Sequence, residues 1–125
     1  MNIYETHPEK PVGIKYCRSC YDHLAGYVGV KMTESMEKIK WIRKENKGYE
    51  VTAKGWESLS SLGIEKDNFR GMHRTLTRQC IDGSEKRPHL AGSLGAAILK
   101  SLIERNWLKR VESTRVLIFT PKFAS

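Results

Sequence analysis

The chain contains no run of about 18 apolar residues, so it offers no membrane-spanning helix. Its first residues, Met1-Asn2-Ile3-Tyr4-Glu5, lack the basic-then-apolar pattern of an export signal. A cytoplasmic protein with no membrane partner is the expectation. Cysteine is scarce and odd in number, at Cys17, Cys20 and Cys80. In a reducing compartment these thiols stay free, which excludes a disulfide framework and leaves thiolate chemistry or plain burial. There is no strand–nucleophile–helix elbow, no phosphate-cradling loop and no pair of carboxylates at catalytic spacing. The haem-attachment motif is also missing, because no His directly follows Cys20. An enzyme is therefore not expected. At 125 residues and 39% hydrophobic content, the chain fits one domain or two very small halves. It is too short for most cofactor-binding α/β enzymes, which stack several βαβ units.

Acidic residues are outnumbered, 14 Asp and Glu against 22 Lys and Arg, for a net charge of +8. The surplus invites nucleic acid, although it also serves solubility. It is unevenly spread: residues 1–66 hold 11 basic against 9 acidic groups, and residues 67–125 hold 11 against 5. Seven of the nine Arg lie in the second half, and Arg suits phosphate better than Lys does.

An internal repeat organises the chain. His23-Leu24-Ala25-Gly26 recurs as His89-Leu90-Ala91-Gly92, 66 residues later. At the same offset Gly29 matches Gly95, Ser35 matches Ser101 and Trp41 matches Trp107. Arg18-Ser19-Cys20-Tyr21-Asp22 matches Arg78-Gln79-Cys80-Ile81-Asp82, after which the second copy inserts Gly83-Ser84-Glu85-Lys86-Arg87-Pro88. Two units follow, 1–66 with an N-terminal arm and 67–125, packed as one compact body.

Each unit reads as an amphipathic helix, a β-hairpin and a Thr-capped helix. Cys17, Cys20, Leu24, Val28, Met32, Met36 and Ile39 fall at spacings of three or four, as do Leu90, Leu94, Ile98 and Leu102. Trp41–Lys44 with Tyr49–Thr52, and Trp107–Val111 with Arg115–Thr120, read as hairpins. Thr52 and Thr120 can cap following helices. The first of these ends near Gly63; the second, with Pro121 in its first turn, is a stub. A linking helix is expected over about 69–81, capped by Asp67 or Asn68, with Arg70, Arg74 and Arg78 on one face. The expected fold is α+β, mostly α, with two tandem degenerate winged-helix-like repeats and short hairpin wings.

Cys20-Tyr21-Asp22-His23-Leu24-Ala25-Gly26 and Arg87-Pro88-His89-Leu90-Ala91-Gly92-Ser93-Leu94-Gly95-Ala96-Ala97 resemble the C-terminal region of a subgroup of ArsR-type bacterial transcription regulators. The resemblance runs from about Tyr16 to Phe123. It implies a winged-helix fold, transcriptional control and a DNA-reading N-terminal winged helix outside this chain. The spacing favours a regulatory role for what is here. Between Gly29 and Trp41, or Gly95 and Trp107, about three helical turns fit, too few for a turn and a recognition helix. A non-enzymatic, effector-sensing or dimerising part, active as a homodimer, is the leading reading. A free-standing winged-helix protein that binds DNA through its basic second half is the alternative, and a thiolate metal sensor is another.

Two constellations carry that chemistry. Cys17-x2-Cys20-x2-His23, three apart on a helix, joined by Cys80 through a pseudo-twofold packing, would suit Zn, Cd or Pb. No cofactor is certain beyond such a thiophilic divalent metal. Burial is the bland alternative for the thiols, and Arg18 and Arg78 beside them are the sole support for a redox role. Asp22-His23, without a nucleophile, reads as a hydrogen-bonded pair at the repeat interface. For DNA phosphate, the candidates are Arg70, Arg74, Arg78, Arg87, Lys109, Arg110 and Arg115. Trp41 and Trp107 read as packing residues, with a pocket near Tyr21, Tyr27, Met32 and Met36 as the lesser reading.

Overall fold

Two glycines with left-handed backbones set the architecture. Gly26 has φ +77° and Gly92 φ +86°, a region that costs a side-chain-bearing residue clear strain. A helix cannot run through such a residue, so in each half the chain turns there from strand into helix. The computed structural model describes residues 12–120. Within them a hairpin of β1 (Arg18–Cys20) and β2 (His23–Ala25) leads into α1 (Gly26–Lys38). A second hairpin, β3 (Ile42–Glu45) and β4 (Gly48–Val51), leads into α2 (Ala53–Ser60). After a 3-10 turn at Lys66–Phe69 the pattern returns: β5 (Arg78–Ile81), β6 (Pro88–Ala91), α3 (Gly92–Glu104), and the hairpin β7 (Leu108–Arg110) with β8 (Leu117–Phe119).

This corrects the expected fold class. The described residues hold α-helices of 13, 8 and 13 residues and eight strands of three or four, paired into four two-stranded antiparallel sheets. The described residues are not mostly helical, and they show no tandem winged-helix repeats. The stretch from Cys17 to Leu24 is a hairpin. It mimics a helical stripe because it is buried on both faces, from Arg18 and Ser19 to His23, Leu24 and Ala25, and burial on both faces erases the period-2 signal. The linking helix over 69–81 is likewise absent. Gly71, at φ +79°, interrupts it, and Thr77 is clasped to another strand: it receives Tyr49 N–H at 2.8 Å and donates to Tyr49 O at 2.7 Å. Neither Asp67 nor Asn68 is an N-cap: Glu65 caps the 3-10 turn, and Asn68 is the third residue of the reciprocal box it forms.

The hairpins β3–β4 (the first wing) and β7–β8 (the second wing) form close to where the sequence places them, and Thr52 caps α2 by accepting from Gly55 N–H at 2.9 Å. Thr120 repeats the other contact of Thr52: each hydroxyl donates to the carbonyl before its Trp, at Lys40 and Asn106. The stub helix from Pro121 and the N-terminal arm over 1–11 lie outside the described residues.

The halves are joined crosswise. β1 meets the second wing, with Ser19 N–H on Arg115 O (2.9 Å) and Leu117 N–H on Cys17 O (3.0 Å). β5 meets the first wing in the equivalent way, with Gln79 N–H on Lys47 O (2.8 Å). α1 lies on β6 and α3 on β2. Both apolar clusters consequently draw on both halves: Met36, Ile42, Tyr49, Leu59 and Ile64 pack with Leu90, Leu94 and Ile98, while Tyr16, Cys17 and Leu24 pack with Leu99, Leu108 and Leu117. The repeated Gly29 and Gly95 permit the crossing. A Cβ on Gly29 would stand 2.5 Å from Leu24 O and 3.7 Å from His89 Cβ; on Gly95, 2.7 Å from Leu90 O and 3.2 Å from His23 Cβ. Gly95→Ala must therefore push α3 off Leu90 of β6 and crowd His23 of β2, at a cost of roughly 1–3 kcal/mol. Urea unfolding checks this: the midpoint should fall with an unchanged slope. A midpoint equal to the parent's would mean that the helix is not held at this distance.

Candidate functional site

Cys20 and His23 are directly opposed at the end of the first hairpin, across the two-residue turn Tyr21-Asp22. Cys80 and His89 are opposed in the same way in the third hairpin. Because the hairpins pack against each other, one donor atom from each of these four residues comes within 4.8 Å of the others. Both imidazoles are buried, with Nε2 of His23 and Nε2 of His89 at 3.1 Å and ring centroids 4.9 Å apart. Both thiols are half-buried. A cleft of about 350 Å³, bordered by Arg18, Cys20, Ser84, His89 and Arg115, connects this cluster to solvent.

Asp82 anchors the second histidine. It is fully buried, and its Oδ1 receives Gly26 N–H (2.7 Å) and Arg18 Nη2 (3.3 Å) and stands 3.0 Å from His89 Nδ1. Its Oδ2 receives Ser84 N–H (3.1 Å), Ser84 Oγ (2.8 Å) and Glu85 N–H (2.8 Å). Burial by itself would raise the pKa of Asp82. The backbone N–H groups of Glu85 and Gly26, with Ser84 and Arg18, outweigh it and hold the carboxyl well below the usual carboxylate range. The first histidine has a weaker counterpart. Asp22 Oδ1 lies 3.5 Å from His23 Nδ1, too far for a good hydrogen bond, and Nδ1 has no hydrogen-bond partner. Asp22 is only half-buried and is gripped by Arg74 at 2.5 and 2.9 Å, the main cause of its lowered pKa. Burial pulls both histidines down. For His89, burial and the neighbouring His23 outweigh the pull of Asp82 and bring it to about 4. For His23 burial likewise outweighs Asp22, with Arg78 and Arg74 adding to the fall.

The structure brings together Cys20, His23 and Cys80 but not Cys17. Cys17 lies in the bend just before β1, outside the ladder that pairs Cys20 with His23. It packs into the apolar cluster with Leu24 and Leu99, where burial drives its thiol up to about 12. His89 takes the place that Cys17 was expected to fill. The signal was available, because His89 is the repeat partner of His23. The redox reading gains nothing from the two arginines. Arg18 is turned to Asp82, and burial, with Cys20 next, raises the Cys80 thiol by more than Arg78 lowers it.

Arg70, Arg74 and Arg78 share no helix face. Arg70 pairs with Asp67 (2.8 Å), Arg74 with Asp22, Arg87 with Glu34 (2.7 Å) and Glu85 (3.1 Å), and Arg110 reaches Ser19 Oγ (3.3 Å). Among the described residues Arg78, Lys109 and Arg115 hold no ion pair. Tyr27, Met32 and Trp107 border a groove of about 360 Å³, whereas Tyr21 is exposed on its turn and Met36 is in the core. Trp41 packs at the edge of the first apolar cluster.

The chain is similar to the uncharacterized HTH-type transcriptional regulator YdfF of Bacillus subtilis (strain 168), 40% identical over 107 residues. The match covers 86% of this chain and 47% of that protein, so the chain spans about half the length of this relative. No family model and no solved structure matches.

The histidines make stability fall on the acid side. His89 in the folded chain binds its proton only near pH 4, whereas an unfolded histidine does so near 6.5. Stability is complete above about pH 6.5 and declines as the pH falls toward 4, because the unfolded chain takes up the proton first. His89 alone contributes a loss of about 2 kcal/mol between pH 7 and pH 4.5, and His23 adds to it. Urea unfolding of the metal-free chain at the two pH values measures this; equal stabilities would show that the histidines are not buried as neutral groups.

Proposed function

We propose that this chain is the effector-sensing, dimerising part of an ArsR-like bacterial transcription regulator. Its similarity over 107 residues to an HTH-type regulator carries the reading. The crosswise packing supports it, since an effector bound between the first and third hairpins acts on both halves at once. DNA is read mainly by a winged helix outside this chain. The reason is local: α1 and α3 each run directly into a hairpin, with no turn and recognition helix between to enter a major groove. The protein works in the cytoplasm as a homodimer, for which the exposed Ile81 and Ile118 offer apolar contact area. Deleting the gene in the source organism should change the transcripts of a small gene set by several-fold. The wild-type gene should restore them and a His89→Ala gene should not. A transcript profile that deletion leaves unchanged would overturn the proposal.

A second reading has a specific observation behind it: Arg78, Lys109 and Arg115 hold no ion pair among the described residues, so they remain available to phosphate. Under it the chain binds generic DNA unaided, with an affinity that drops steeply between roughly 50 and 200 mM salt. A gel shift at low salt decides; no retarded band removes this reading.

A further inference from the structure

We propose that Cys20, His23, Cys80 and His89 form a tetrahedral site for one thiophilic divalent metal ion, Zn²⁺ in kind, which clasps the two halves of the chain. Two soft sulfurs and two imidazole nitrogens are a donor set of structural zinc centres. A tetrahedral ion with bonds of about 2.0 Å to nitrogen and 2.3 Å to sulfur needs donors roughly 3.3–3.8 Å apart. The four donors already lie within 4.8 Å, and the two Nε2 atoms at 3.1 Å. Closing on an ion takes side-chain adjustment of no more than about an ångström.

The hydrogen bonding around the histidines argues for a cation at this place. Both oxygens of Asp82 already accept from Arg18 and from backbone N–H groups, so toward His89 it accepts as well: Nδ1 of His89 carries the hydrogen and its Nε2, in the neutral tautomer, presents a lone pair. That lone pair faces Nε2 of His23. If His23 also turns an Nδ1–H toward the carboxylate of Asp22, two lone pairs meet at 3.1 Å. If instead His23 donates from Nε2, its buried Nδ1 lone pair faces a carboxylate and has no donor. Either tautomer leaves a buried polar group in conflict, which is expensive. A cation between the rings resolves it: both Nδ1–H groups point to carboxylates and both Nε2 lone pairs bind. A divalent ion also takes up the charge of the two thiolates.

The surroundings fit the same occupant. Metal-bound histidines characteristically hand their other N–H to a carboxylate, as His89 does to Asp82. Asp82 is thus a positioning residue, fixing the tautomer and direction of His89. The cleft beside Cys20 and His89 gives the ion a path. Each half supplies one Cys and one His, so binding ties residues 20 and 23 to residues 80 and 89. Metal binding stands without the transcriptional reading; that the ion is the effector rests on it.

Titrating the metal-free chain with Co²⁺ and Cd²⁺ tests the site. The expected result is saturation at one ion per chain, a sulfur-to-metal charge-transfer band for both ions, and the strong visible bands of tetrahedral Co²⁺. Cys20→Ser and Cys80→Ser should each weaken the band and lower affinity at least tenfold. Asp82→Asn should lower affinity by about ten- to a hundredfold while keeping the band. Cys17→Ala should keep both the stoichiometry and the band. Circular dichroism establishes that each variant is folded; if a histidine variant is not, the two half-buried cysteines carry the test. No band in the parent chain, a band that survives the Cys20→Ser/Cys80→Ser double variant, or a band lost in folded Cys17→Ala would each overturn the site. One ion bound in vitro, with transcripts that ignore metal supply, would leave the site standing and overturn its role as effector.

Discussion

A carboxylate taken wholly out of water costs several kcal/mol unless its oxygens are met by donors, and Asp82 has no solvent exposure at all. What meets it comes from four parts of the chain: the first N–H of α1 at Gly26, Arg18 of β1, His89 of β6, and the loop at Ser84 and Glu85. None of these can leave without stranding the charge. The start of α1, the first strand and the third hairpin are therefore fixed relative to one another by one side chain. The rest follows from that junction. With β1 held there, its edge lies against the second wing, and α1 is placed on β6.

The two halves are repeats, yet they treat this aspartate differently. In the first copy a two-residue turn joins the strands, and Asp22 stays at the surface paired with Arg74. In the second copy the six inserted residues from Gly83 to Pro88 lengthen the loop and wrap it over Asp82. The insertion supplies Ser84 and Glu85, donors that Asp22 has no counterpart for and that help hold Asp82 in the interior. One histidine of the pair is in consequence rigidly oriented and the other only loosely so. The pseudo-symmetric site has a fixed half, Cys80 with His89, and a softer half, Cys20 with His23.

The repeat was legible because it is written in identities, and the wing hairpins because turn residues bracket short β-rich runs. The cap at Thr52 was legible for a similar reason: capping needs a particular side chain. The hairpin at Arg18–Ala25 was not legible. Its residues are buried on both faces, so Cys17, Cys20 and Leu24 satisfy a helical spacing by coincidence. That error passed directly to the site. Read as helix, Cys17 shares a side with Cys20 and His23; in the structure it sits in the bend before β1 and packs into the core. The pairing of Cys20 with His23 and of Cys80 with His89 needed the hairpin register, which residue spacing alone does not give. The left-handed Gly26 and Gly92 could have warned against a continuous helix, since both stand where a repeat keeps Ala-Gly ahead of an apolar stripe.

The crosswise arrangement also decides what a ligand at the cluster can accomplish. A ligand held within one hairpin would stiffen only that hairpin. Here every pair of donors taken from different hairpins spans a long stretch of chain, because residues 23 and 80 lie on either side of the first wing, α2 and the 3-10 turn. Bridging them closes a long loop, and the entropy so removed from the open chain grows with loop length. The same bridge rests on His23 and His89, which lie against Gly95 and Gly29, where the helices already approach the hairpins as closely as a hydrogen in place of a Cβ allows. Any tightening at the cluster thus presses α1 and α3 against opposite hairpins. Interiors this close-packed transmit a small displacement instead of absorbing it. The strand edges that carry the two wings lie next in line, at Ser19 with Arg115 and at Gln79 with Lys47.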